Sequence, residues 1–165
     1  MCTFKNASNF KEERFDMNNN RILIAATIGA LSTLPAEIVT RVLLFLGMGK
    51  YSLYDLCSFT ITVNRPITII GLIIVFLGGS LVGVLLYLSI EKWGSDYLFI
   101  KGIMAGLFFW VAWEFMFTAF IEGIFIAIRP INDYYVHIIG TTIFGAIMGL
   151  FFKIFLFKKS SSQSN

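Results

Sequence analysis

Four long apolar runs dominate the chain, and the stretches between and beyond them hold most of its charged residues. The runs cover residues 22–46, 66–90, 98–128 and 135–157. A bilayer core about 30 Å thick needs about 20 mostly apolar residues to be crossed by a helix, and each run is long enough. None alternates apolar and polar positions, as membrane strands do over about 10 residues. In hydrocarbon each backbone polar group must be bonded within its own segment. The pattern therefore predicts an all-α polytopic membrane protein, a four-helix bundle over residues 22–157. Residues 1–21, with the run Asn18-Asn19-Asn20, and the Ser-rich residues 158–165 read as tails.

Composition agrees with the pattern. Hydrophobic residues make up 57% of the 165 and charged residues 14%, against about 45–50% and 25% in soluble domains. That excludes an ordinary soluble globule, and it excludes disorder, which needs low hydrophobicity and high charge. Arg21 followed by Ala30-Leu31-Ser32 has the outline of a cleaved signal peptide. The apolar run continues past it to Leu46, so the first segment is kept as a span.

The basic residues are unevenly placed. Lys5, Lys11, Arg14, Arg21, Lys92, Lys101, Lys153, Lys158 and Lys159 fall on one side of the four spans; Lys50, Arg65 and Arg129 fall on the other, and Arg41 lies within a span. The positive-inside rule then puts both termini in the cytoplasm of a cell-membrane protein. The net charge of +3 becomes a topology signal rather than a sign of nucleic acid, since no soluble basic module accompanies it. Cys2 and Cys57 fall on opposite sides and form no C-x-x-C pair, which leaves disulfide chemistry and metal clusters unsupported.

Two halves of the chain share an order of motifs. Gly29, Glu37, Arg65-Pro66-Ile67, Ile69-Ile70-Gly71 and Gly79-x-x-x-Gly83 are answered by Gly106, Glu114, Arg129-Pro130-Ile131, Ile138-Ile139-Gly140 and Gly145-x-x-x-Gly149. A duplicated helical hairpin, related by an axis along the membrane normal, gives this order. Small residues four apart allow close helix packing; Ala25 and Gly29, Gly79 and Gly83, Gly102 and Gly106, and Gly145 and Gly149 place such a seam near the midplane or in the cytoplasmic half.

The ionisable residues fall elsewhere. At about 1.5 Å per residue, Glu37 and Glu114 lie roughly 23–25 Å from the inner ends of their helices, in the outer half. Charges at that depth are costly and face the bundle interior or a wet cavity. Glu37 and Arg41, four apart, share a face and can pair. Glu114 has no such partner, with Trp110 and Thr118 four residues away on either side. Arg129 is seven after Glu122 and on a similar face. The expectation is a polar pocket in the outer half, walled by Glu37, Arg41, Glu114, Glu122 and His137. The alternative is a static salt bridge, Arg41 with Glu37 or Glu114. Glu122 and His137 also read as interfacial. Pro35, two before Glu37, is expected to bend the first helix and free the Leu31 carbonyl. Tyr51, Tyr54, Trp93, Tyr97, Tyr134 and Tyr135 suit an interfacial belt. Residues 50–65 read as an external loop or short amphipathic helix lying on the surface or capping the pocket.

Catalytic constellations are lacking in the sequence. One histidine cannot build the two-histidine zinc motif of a metalloprotease. Ser80 and His137 fall at different depths, which argues against a serine protease. The glycine pairs follow no nucleotide-binding spacing, so no cofactor or metal is expected.

The strings Ala36-Glu37-Ile38-Val39-Thr40-Arg41 and Ile128-Arg129-Pro130-Ile131-Asn132-Asp133-Tyr134-Tyr135 resemble small, uncharacterised four-helix inner-membrane proteins of Gram-positive bacteria, over about residues 22 to 157. The resemblance implies a source class and no activity. The expected function is a non-enzymatic binding or transport-like component with a polar site, acting as a homo-oligomer or with a membrane partner protein. The rival expectation is a scaffold or regulatory subunit whose charges only lock the bundle.

Overall fold

A computed structural model describes residues 20–63 and 65–156; most of both expected tails, with Cys2, lies outside the described residues. In chain order the helices are α1 (residues 20–31), α2 (Thr33–Phe45), α3 (Leu53–Thr62), α4 (Thr68–Trp93), α5 (Leu98–Phe120) and α6 (Ile131–Phe151), the last running on into a wider π turn over Phe152–Leu156. α1 and α2 form one span interrupted at Ser32. The interruption sits where proline chemistry puts it: the Pro35 ring displaces the carbonyl four residues earlier and offers no N–H to it. The hydroxyls of Ser32 and Thr33 donate to the carbonyls of Ile28 and Ala30, each at 2.7 Å. Four helical segments, Asn20–Phe45, Thr68–Trp93, Leu98–Phe120 and Ile131–Leu156, are long and apolar enough to cross a membrane. No strand forms among the described residues, so the chain is an all-α protein with four such helices.

Two ends differ from the apolar runs. The third helix stops at Phe120 rather than residue 128, because Gly123 turns the chain at φ 78° and its N–H bonds the Ile126 carbonyl. The fourth begins at Ile131, earlier than residue 135. Asp133 in its first turn suits the positive end of the helix dipole, and a hydropathy pattern reads that polar turn as a loop.

The small-residue pairs meet as seams. Ala25 and Gly29 of α1 face Gly79 and Gly83 of α4, while Gly102 and Gly106 of α5 face Gly145 and Gly149 of α6. The registers match: Gly29 meets Gly79 as Gly102 meets Gly145, and Ala25 meets Gly83 as Leu98 meets Gly149. Aligned this way, Gly140 falls on Ile74, so the two Ile-Ile-Gly strings are out of step and are not equivalent positions. Ala36 and Thr40 of α2 fall on Phe109 and Trp113 of α5, and Glu37 falls on Trp110, so Glu37 and Glu114 are not equivalent positions either.

That alignment explains an asymmetry between the hairpins. At the α2–α6 contact, a Cβ on Gly140 would stand 2.5 Å from Thr40 Cγ2 and 3.7 Å from the Ala36 carbonyl oxygen, so the helices lie close. The matching positions between α4 and α5 are Ile74, Phe109 and Trp113, and those helices make few contacts. Small residues close one seam and bulky ones hold the other apart.

The main core, with Ile28, Val82, Leu86, Ile90, Met148 and Phe152, fills the end of the bundle opposite α3. A second cluster, Leu56, Phe59 and Phe117, sits beneath α3. α3 is not a surface helix: Tyr54, Leu56, Cys57, Ser58 and Phe59 are all buried. Its backbone presses on α4, where a Cβ at Gly71 would collide with the Tyr54 carbonyl.

Candidate functional site: an apolar cleft and two charge networks

Between the closed core and α3 the bundle holds a cleft of about 600 Å³, part of it open to the surroundings. Its facing walls are Ile74, Val75 and Gly78 of α4 and Phe109, Trp110 and Trp113 of α5. Thr33 and Ala36 of α2 and Phe144 of α6 also line it, and Leu53 and Cys57 bring α3 to its edge. At about 1.5 Å per residue, the α4 wall lies roughly 9–17 Å along the helix from Thr68.

The cleft is apolar, which corrects the expected polar pocket: Glu37, Arg41, Glu114, Glu122 and His137 are all absent from its lining. Leu31 is absent too. The indole N–H groups of Trp110 and Trp113 are buried and find no acceptor among the described residues. The carboxylates stand behind the walls, in two networks rather than one, because burial of a charge in hydrocarbon is tolerable only when it is paired.

The first network joins α2 to α3. Glu37 Oε1 accepts from Arg41 Nε at 2.7 Å, and Oε2 accepts from the Tyr54 N–H at 3.1 Å. Ser52 caps the same helix start, accepting from the Asp55 N–H at 3.2 Å. A helix start leaves four N–H groups unpartnered and carries partial positive charge; Glu37 answers both. Arg41 reaches Thr68 Oγ1 at 3.4 Å and Asp55 Oδ1 at 3.8 Å, tying α4 into the network. The Tyr54 hydroxyl lies 3.3 Å from Thr33 Oγ1, whose own proton goes to Ala30, so this tyrosine anchors α3 inside the bundle rather than joining an interfacial belt.

The second network centres on Arg129, whose side chain is fully buried. Its Nη2 donates to Glu114 Oε2 at 2.7 Å and to Glu122 Oε2 at 3.1 Å, and its backbone N–H donates to Glu122 Oε1 at 2.7 Å. The guanidinium lies between the rings of Phe117 and Tyr134, 4.8 Å from each, where cation–π attraction favours it. The Tyr134 hydroxyl donates to Glu122 Oε2 at 3.1 Å. Glu122 and His137, read as interfacial, are buried instead; the turn at Gly123 folds Glu122 back onto Arg129. His137 Nε2 lies 3.0 Å from the Tyr51 carbonyl, and Nδ1 lies 3.5 Å from Glu114 Oε1.

Of the alternatives for Arg41, the pairing with Glu37 forms and the one with Glu114 does not. Arg129 was placed only as a basic flank, although its seven-residue spacing from Glu122 pointed to a shared face. Asp133 had no signal: it is fully buried, and its Oδ1 accepts the Lys50 N–H at 2.5 Å.

Compared with known protein families, curated proteins and solved structures, the chain finds no match. Function must therefore be read from the geometry.

The second network gives the protein an acid limit. Burial opposes ionisation of Glu122, but the guanidinium and backbone N–H of Arg129, with the Tyr134 hydroxyl, outweigh it and hold its carboxyl below the usual carboxylate range. A depressed folded value means that this stabilisation is complete above the unfolded value, about 4.3, and is lost as pH falls through the folded one. Thermal unfolding of the detergent-solubilised protein should show its midpoint falling in this acid range, and Glu122→Gln should flatten that fall.

Proposed function

We propose that the protein is a small multi-pass component of the cell membrane, with both termini in the cytoplasm, that binds the hydrocarbon chain of a lipid-like molecule. The observation that carries this reading is the apolar cleft between α4 and α5, held apart by Ile74, Phe109 and Trp113 where the matching seam is closed by Gly140, Ala36 and Thr40. Ligand sites are concave, mostly apolar and furnished with few polar groups. The two unpartnered indole N–H groups supply those few: an ester or hydroxyl oxygen of a bound lipid would give them the acceptor they lack. The charge networks support a structural part for Glu37, Arg41, Glu114 and Glu122, as in a scaffold, with binding left to the cleft.

Gly78 provides the test. A Cβ there would approach only the Phe109 ring, 3.2 Å from Cζ, so a larger side chain fills the cleft without striking backbone. Purified protein in bilayers containing a lipid with a photoreactive acyl chain should be labelled at Trp110 and Trp113 as well as at exposed Phe108. In Gly78→Leu the labels on the two tryptophans should be lost and that on Phe108 kept. Tryptophans that are unlabelled, or equally labelled in the variant, would overturn the reading.

A further inference from the structure

We propose that Glu114 and His137 form a buried proton-binding site, in which His137 is an imidazolium donating from Nδ1 to Glu114 and from Nε2 to Tyr51. The geometry leads there in three steps. A carbonyl oxygen only accepts hydrogen bonds, so the 3.0 Å contact with the Tyr51 carbonyl fixes a proton on Nε2. In a neutral ring Nδ1 would then be a bare lone pair. It faces Glu114 Oε1 at 3.5 Å and has no hydrogen-bond partner among the described residues. Two acceptors would oppose each other in a place where the histidine is fully buried, and an unpaired buried acceptor is costly. One proton on Nδ1 turns that opposition into a charge-assisted contact.

The charges around the ring require the same proton. Glu114 from α5 and Glu122 from the following turn bring two carboxylates, and Arg129 brings one guanidinium. An imidazolium completes the neutral set. Glu114 remains the anion because Arg129 Nη2 already donates to its Oε2 at 2.7 Å. Asp133, one turn before His137 on α6, spends Oδ1 on the Lys50 N–H and leaves Oδ2 without a partner among the described residues, another negative group that favours a cation nearby. From α3 comes the buried thiol of Cys57, whose pKa burial raises first and the Glu37 and Glu114 carboxylates raise further. Tyr134 spends its hydroxyl on Glu122, and the Thr141 hydroxyl bonds the His137 backbone carbonyl and not the ring. Arg41 is engaged with Glu37 and Asp55.

The site joins two parts of the fold. Through Nε2 the ring holds the segment that leads into α3; through Nδ1 it holds α5 beside Trp113, a wall of the cleft. Loss of the proton leaves the first tie and breaks the second.

The chain has one histidine, so the protein labelled with ¹⁵N in the imidazole and reconstituted in bilayers gives a single pair of ring signals. Both nitrogens are expected to carry protons at pH 7. In Glu114→Gln, Nδ1 is expected to be unprotonated at pH 7 while Nε2 keeps its proton. A pyridine-type Nδ1 in the unaltered protein at pH 7 would overturn the proposal, as would ring signals unchanged by the substitution. The measurement on the unaltered protein decides the matter even where the variant does not fold.

Discussion

Arg129→Gln is expected to be the most damaging single substitution in the charge networks, destabilising the protein by about 3–5 kcal/mol, the usual cost of stranding a buried charge. The guanidinium is fully buried and serves Glu114 and Glu122 together. Its removal takes from two buried carboxylates the cation they share, leaving Glu122 the backbone N–H of residue 129 and the Tyr134 hydroxyl and leaving Glu114 beside His137, and it empties the space between two aromatic rings. The size of the loss does not measure how much the network contributes. Buried ion pairs replaced whole by apolar groups of like volume are often neutral or better. The triple variant Arg129→Met, Glu114→Leu, Glu122→Leu should therefore recover most of the loss. Unfolding of all forms in one detergent, by heat or denaturant, checks both statements. An Arg129→Gln protein as stable as the parent would mean that the carboxylates are not held as described; a triple variant no better than the single one would mean that the network itself carries the stability.

The sequence announces the bundle because lipid imposes one rule everywhere: a span must be a helix of about 20 apolar residues. Close packing was equally legible, since Ala25, Gly29, Gly79, Gly83, Gly102, Gly106, Gly145 and Gly149 leave backbones nothing to keep them apart. That Glu37, Glu114 and Arg41 needed partners was also legible, since an unpaired charge at depth is costly. The Glu37–Arg41 pair was legible from its four-residue spacing, but the partner of Glu114 was not. Arg129 and Glu122 meet only because Gly123 reverses the chain, and a glycine's positive φ leaves no mark in hydropathy. α3 carries buried and polar residues together because its start is capped by a carboxylate from another helix, so it reads as a surface segment. The cleft was hidden for another reason. It arises from a mismatch between two seams, Ile74 and Phe109 against Gly140 and Ala36, and each of these residues is ordinary in a membrane helix. Only the common register of the two glycine seams makes them comparable.

That register carries the second large effect. A Cβ at Gly149 would stand 2.6 Å from the Leu98 carbonyl oxygen and 2.9 Å from Phe99 Cα. Both are backbone atoms of α5, and backbone cannot turn aside as a side chain can, so Gly149→Ala must push the helices apart. The expected cost lies at or above the upper end of the about 1–3 kcal/mol typical of overpacking, even though alanine is the better helix former by about 1 kcal/mol. Gly83 is its counterpart in the other hairpin, where a Cβ would stand 3.1 Å from Gly29 Cα and collide with the Ala25 carbonyl oxygen. Gly83→Ala should cost a similar amount. Gly78→Ala is the control. Its Cβ meets only the Phe109 ring, which borders the open cleft, so the helix-propensity gain goes unopposed and stability should hold or rise. Denaturant unfolding of the three variants in a common detergent gives the comparison. Equal losses at Gly149 and Gly83 with none at Gly78 would tie the fold to two matching backbone seams; a Gly149→Ala protein as stable as Gly78→Ala would mean that the α5–α6 contact is looser than backbone against backbone.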